Sequence, residues 1–342
     1  MFRRFLQRIL SPVLTRLAAH ASAPVKKDVF DSLSKLYQEI ADNTGARGMS
    51  LEADGLTDRF IIFSDQHKGN GDEGDDFATN AVNYVAALNF YNEQNYNYIN
   101  LGDAEELWKY SPKEVLSHYA DCFHAENFFH RRGSYYKTFG NHDITWKNKL
   151  DVNLWFNKVF RLPLPVWEGI LLKFVTAEKP FNIFVTHGHQ GDKMSDNNHM
   201  STWMVSHLWR PLQRYLRINV NTPAKDYVLR DRHNILMYEW SHLQENLVLI
   251  TGHTHKPVFA AGLYSDHPNN TIPINKIDTA EKITTLRPSY FNTGCCCFND
   301  GDITGIEISE GAIRLVKWHF TGDISIRSVL EEKSLLDICR DL

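Results

Sequence analysis

Five short apolar runs in this chain end on the same kind of polar loop. They lead into Phe63-Ser64-Asp65-Gln66-His67, Leu101-Gly102-Asp103, Phe139-Gly140-Asn141-His142-Asp143, Val185-Thr186-His187-Gly188-His189 and Thr251-Gly252-His253-Thr254-His255. A few apolar residues followed by Gly, Ser or Thr and then Asp, Asn or His read as a buried strand delivering a loop. Layered α/β sheets place their sites at the carboxyl ends of strands. Five such loops in one chain therefore demand a fold that gathers five strand ends.

The stretches between these runs fit that demand. Helical spacing covers Asp28 to Ile40, Phe77 to Tyr96 and Pro112 to His130. Strands are expected at Arg59–Phe63, Tyr98–Leu101, Tyr135–Phe139, Leu171–Val175, Asn182–Thr186 and Leu247–Thr251. Alternation of the two element types implies an α/β layered domain. Beyond the fifth loop, Val258–Gly262 and Tyr290–Cys297 are strand-like, and Ile303–Ile308 pairs with Ala312–Phe320 across Ser309-Glu310-Gly311. Strand alternation would put Cys295 and Cys297 on one face and Cys296 on the other, so the three read as small buried hydrophobes.

Residues 1–50 read as an N-terminal helical extension, 51–322 as the main α/β domain, and 323–342 as a charged tail. Residues 1–24 contain no acidic side chain and set Arg3, Arg4, Arg8 and Arg16 against an apolar stripe. Three readings stay open: a helix packed on the domain, peripheral contact with an anionic membrane face, or a targeting segment. An insertion at about 191–245 carries a second apolar stripe, with Arg210, Arg214 and Arg217 on one face. It reads as a small helical subdomain, or as a cap meeting a substrate's phosphates and apolar part.

Composition excludes several classes. With 43% hydrophobic and 23% charged residues in 342, the chain is an ordinary globular one. A formal net charge of -4 offers no global field for duplex nucleic acid. No apolar run reaches the roughly 20 residues that span a bilayer. The five cysteines, three of them adjacent, make a poor disulfide framework, and a reducing, cytoplasmic setting is the simpler reading.

The polar groups at the strand ends are Asp65, His67, Asp103, Asn141, His187, His253 and His255. All offer oxygen or nitrogen, a set suited to Mn²⁺, Fe or Zn²⁺. Seven are too many for one catalytic ion that keeps an open position. They suit two ions sharing a carboxylate, the arrangement that clamps an in-line phosphoryl displacement.

In order and completeness, these motifs resemble those of the calcineurin-like metallophosphoesterases, across residues 65 to 255. The resemblance implies a four-layered α/β/β/α sandwich and two divalent ions, with Mn²⁺ expected and Fe or Zn²⁺ as alternatives. It implies Asp65, His67 and His255 on the first ion, Asn141, His187 and His253 on the second, and Asp103 as bridge. A hydroxide between the ions would attack phosphorus, with His142 at the leaving group and Asp143 orienting it.

Gly102-Asp103-Ala104-Glu105-Glu106-Leu107-Trp108 is similar, more narrowly, to the second motif of the UDP-2,3-diacylglucosamine pyrophosphatases, which also carry a basic-apolar insertion before the last motif. The chain departs from that group at His142, where Arg is usual, and at His187-Gly188-His189, where His-Gly-Asp is usual. The expected function is hydrolysis of a phosphoester or phosphoanhydride in a phosphorylated small molecule or a nucleotide- or lipid-linked substrate, with Glu106, His189, Arg210 and Arg214 as substrate contacts. The alternatives are a phosphodiesterase or nuclease acting on cyclic nucleotides or single strands, and a scaffold that keeps the fold without the reaction.

Overall fold

The computed structural model describes residues 24–43, 45, 47–175, 179–191, 227–260, 262–263 and 286–342. Residues 1–23 and the segment with Arg210, Arg214 and Arg217 lie outside the described residues, so the expectations for the N-terminal stripe and the basic face stay as sequence readings.

Two seven-stranded sheets form the centre. In one, the parallel strands β2 (Phe60–Phe63), β3 (Asn97–Leu101), β4 (Tyr135–Thr138) and β5 (Val166–Trp167) continue into the antiparallel strands β12 (Ile303–Ser309), β13 (Ala312–Thr321) and β14 (Ile324–Ser334). The other runs from β1 (Gly48–Asp54) through β6 (Gly169–Val175), β7 (Phe181–Thr186), β8 (Leu247–Thr251) and β11 (Tyr290–Asn292) to β9 (Val258–Phe259) and β10 (Gly262–Leu263).

Strand periodicity divides each apolar run between two cores. Ile62, Ile99, Ile170, Ile183, Val185 and Ile250 point between the sheets. Ile61, Phe63 and Tyr98 point outward, against Tyr84 and Leu88 of α2 (Ala81–Glu93), Phe123 and Phe129 of α4 (Ala120–Arg131), and Phe156 of α5 (Lys149–Phe160). On the opposite outer face, Leu171, Phe184 and Leu249 pack against Leu33 and Leu36 of α1 (Lys26–Ala41) and Trp240 of α6 (Tyr227–His242). The architecture is thus the four-layered α/β/β/α sandwich. Strands buried on both faces read as unbroken apolar runs, which is why the central ones were legible.

Local chemistry sets several ends. Ser111 and Glu114 form a capping box, with Pro112 opening α3 (Pro112–His118). Glu310 and Gly311, at φ 53 and 73, turn β12 into β13. Such a turn matches the twist of the strands it joins.

Three boundaries are corrected. The expected start of the body at 51 falls inside β1, and α1 forms part of an outer layer rather than an appendage. Within the range expected for the insertion, α6 packs on the sheet and buries Met237, Tyr238 and Trp240 there. The expected tail is the edge strand β14 followed by α7 (Leu335–Asp341), which buries Leu335, Ile338 and Cys339 in the inter-sheet core. An edge strand leaves much of its surface in solvent, so its sequence carries few apolar residues and resembles a tail.

Candidate metal centre

β2, β3 and β4 are parallel neighbours, with Phe63 beside Asn100 and Leu101 beside Thr138, so their loops emerge side by side. β7 and β8 do the same in the facing sheet. Cross-sheet hydrogen bonds close the two sets together. The His253 N–H donates to Asp65 Oδ2 at 2.9 Å, and His187 Nδ1 lies 2.9 Å from the Leu101 carbonyl. A carbonyl only accepts, so Nδ1 carries the proton and Nε2 is left to face the site.

The backbone is strained at these residues. Asp65, His67, Asp103, His253 and His255 have φ between 49 and 67, although none is glycine. Such conformations persist where surrounding structure enforces them, and they cluster at functional sites. Space is equally tight. A Cβ on Gly140 would overlap Asp103 Oδ1 and come within 2.7 Å of His187 Nε2. Gly140→Ala is expected to lower metal content with the fold intact; full metal loading would contradict this geometry.

Asp103 stands at the centre. Its Oδ2 lies 3.2 Å from His187 Nε2 and 3.8 Å from His67 Nε2, while Oδ1 accepts the His142 N–H at 2.8 Å. One oxygen therefore faces both donor sets, a position from which Asp103 could serve both. On one side, His67 Nε2 and His255 Nε2 are 3.1 Å apart, and His255 Nε2 is 3.2 Å from Asp65 Oδ1. On the other, Asp103, His187 and His253 bring donor atoms within 4.8 Å of one another. Asp65 Oδ1, Asn141 Oδ1, His187 Nε2 and His253 Nε2 are buried without hydrogen-bond partners. Leaving such atoms unsatisfied costs about 1–3 kcal/mol each. Four orphaned oxygen and nitrogen donors converging from four loops fit divalent cations.

Protonation follows the same logic. Burial pushes His67 and His253 down, toward the neutral form that ligates a metal. Burial would do the same to His187 and His255, but Asp103 brings His187 to about 9 and Asp65 holds His255 well up. Below about pH 9, then, a proton on His187 competes with a cation for Nε2. Metal affinity is expected to rise with pH toward that value, with proton release visible by calorimetry in two buffers of different ionisation enthalpy. A pH-independent affinity would contradict this.

Two expected roles change. Asp143 does not touch the His142 ring. Its carboxylate accepts the N–H groups of Gly140 (2.6 Å), Asp103 (3.2 Å) and Ala104 (3.0 Å), clamping the second and third loops together. Glu106, expected to meet substrate, is buried and holds His142 instead, both carboxylate oxygens lying 3.0 Å from Nδ1. It also reaches His67 Nδ1 at 3.3 Å. Burial alone would lower the His142 pKa, yet Glu106 and Asp103 raise it. Trp108 stacks on the His142 ring at 4.0 Å between centroids and donates to the Asn141 carbonyl at 2.8 Å. His189 is buried, its ring 5.4 Å from that of His187.

Sequence reasoning missed three contributors. His233 and Asn234, on α6, meet the fifth loop: the His233 ring lies 5.2 Å from His253, and Asn234 Oδ1 accepts from Thr254 at 3.1 Å. Nothing in the sequence marks them. Cys297 was assigned to a strand, but β11 stops at Asn292, so the alternation argument does not reach the cysteines. Cys297 Sγ lies 3.5 Å from His255 Nδ1.

No family model matches the chain, and no curated protein matches it. Among solved structures, Vacuolar Protein Sorting 29 from Cryptosporidium parvum is 12% identical, covering 82% of this chain and 99% of its own, with a TM-score of 0.35. A single-mutant Vps29 from Entamoeba histolytica is 11% identical, covering 80% and 99%, with a TM-score of 0.28. At that level the description of the fold rests on the strand order and the layers themselves.

Proposed function

We propose that this chain is a dinuclear metal-dependent hydrolase of phosphoester or phosphoanhydride bonds, consistent with the resemblance of its motifs to calcineurin-like metallophosphoesterases. The observation that carries this reading is the placement of Asp103 Oδ2 between His67 and His187, amid four orphaned donors. Asp65, His67 and His255 would hold one ion, Asn141, His187 and His253 the other, with Asp103 between them. When bound, the ions supply Lewis acidity to the phosphoryl oxygens and lower the pKa of water. His142 sits one residue from Asn141, and the Glu106 carboxylate against its ring favours the protonated form that could supply a proton to a leaving oxygen. Glu106 fixes the ring so that Nδ1 is engaged and Nε2 is the nitrogen left to act.

His142→Ala is expected to lower kcat by about 10²–10⁴-fold with metal content unchanged. Loss of metals in that variant would make His142 a ligand instead. Glu106→Gln should reproduce part of that loss. Turnover with Mn²⁺ against a nucleotide diphospho-lipid, cyclic nucleotides, simple monoesters and single-stranded oligonucleotides tests the reading. The first substrate is favoured by the second-motif similarity and the basic-apolar insertion. Failure on every member, with metals bound, would reject a phosphoesterase and favour a scaffold.

A further inference from the structure

We propose that Cys297 is a metal ligand of the His67–His255 site, which makes that site selective for a thiophilic divalent ion such as Zn²⁺ over Mn²⁺. The inference rests on the metal-centre reading above and departs from the all-oxygen-and-nitrogen donor set.

Three observations carry it. His67, His255 and Cys297 each offer a donor atom, and these atoms lie within 4.8 Å of one another. In a tetrahedral zinc site, bonds of about 2.0–2.3 Å put neighbouring nitrogen and sulfur ligands about 3.5 Å apart. The His67 and His255 Nε2 atoms, 3.1 Å apart, approach that spacing, and the Cys297 sulfur lies within 4.8 Å of the donor atoms of both histidines, on the side of the His255 ring that carries Nδ1 (3.5 Å). Second, Asp65 Oδ1 is fully buried beside the same pair, 3.2 Å from His255 Nε2, and lacks a hydrogen-bond partner. It supplies the fourth donor. Third, the backbone delivers Cys297 on a fixed support. Gly294, at φ 75, turns the chain out of β11, and the Cys296 N–H donates to the Asp65 carbonyl at 3.2 Å. This bond straps the cysteine segment to the loop that carries Asp65 and His67. Cys295 and Cys296 are buried, whereas Cys297 is partly open.

The other role open to this sulfur is a hydrogen bond with His255 Nδ1, in which sulfur is weak both as donor and as acceptor. A thiolate is a strong ligand for Zn²⁺ and a poor one for Mn²⁺. On binding, the Cys297 S–H proton passes to solvent and a sulfur–metal bond forms.

Titration of the metal-free full-length protein with Co²⁺ tests this, by absorption and by metal content. Binding should produce a near-ultraviolet thiolate-to-cobalt charge-transfer band that Cys297→Ser removes and Cys295→Ser retains. In Zn²⁺/Mn²⁺ competition, Cys297→Ser should reduce the preference for Zn²⁺ about tenfold or more. Two bound cobalt ions without the band in the unmodified protein would overturn the thiolate ligand and leave the metal centre standing. A band that follows Cys295 instead would overturn the assignment to Cys297. Failure to bind cobalt at all would overturn both this inference and the metal-centre reading.

Discussion

If the chain is the proposed dinuclear hydrolase, Asp103→Ala is expected to reduce metal-dependent phosphodiester hydrolysis on the order of a thousandfold and to lower the number of bound ions. Bridged ions contribute several kcal/mol of charge stabilisation in the transition state, and about 4 kcal/mol corresponds to about three decades in rate. Asp103 Oδ2 is the oxygen that faces both His67 and His187, so its loss separates the two donor sets. Its Oδ1 also holds the His142 N–H, so the loop carrying Asn141 loses an anchor. Metal content by elemental analysis and turnover on a chromogenic phosphodiester check the prediction. Unchanged turnover at full loading would refute the bridging assignment.

Lys68→Met is expected to cost about 3–5 kcal/mol of stability, read as a lower denaturation midpoint at constant m-value. Lys68 follows His67 and is wholly buried, with Nζ 2.6 Å from Glu126 Oε1 and 3.5 Å from Glu105 Oε1. Glu126 also accepts from Tyr84 at 2.8 Å and Tyr135 at 2.9 Å, and Lys137 lies 3.0 Å from Glu105 Oε2. Burial alone would push the Lys68 ammonium toward its neutral form, but Glu126 and Glu105 hold it charged. Removing the cation leaves the buried Glu126 carboxylate without its ion-pair partner and Glu105 with Lys137 alone, which is the costly case for an internal ion pair. The double variant Lys68→Met/Glu126→Gln should recover part of the loss, because one uncompensated charge is gone. A single-variant loss below about 1 kcal/mol, the range of exposed pairs, would mean that water reaches the ammonium.

This network explains why some of the site was unreadable. Lys68, Glu105, Glu126 and Lys137 look like ordinary solvated charges, since their neighbours in sequence do not pair with them. Glu126 sits in a helix whose spacing is legible, yet its partners come from α2, from β4 and from the loop after β2. Glu106 had a local signal, three residues beyond Asp103, but the choice between meeting substrate and holding His142 depended on where β4 delivered that ring. Asp143 was read through its neighbour in sequence, whereas its carboxylate spans two loops.

The sequence by itself determined the α/β class and the donors at five strand ends. Those features are local: an apolar run, a Gly, Ser or Thr, and an Asp, Asn or His side chain within a few residues. Tertiary structure decided what depends on residues far apart in the chain. It made Asp103 Oδ2 common to His67 and His187 and transferred His142 from Asp143 to Glu106. It also brought Cys297 to His255 across 42 residues and joined β14 to the sheet as an edge strand. Parallel strands align their carboxyl ends only once the sheets form, and hydrogen bonds between those ends then choose each side chain's partner.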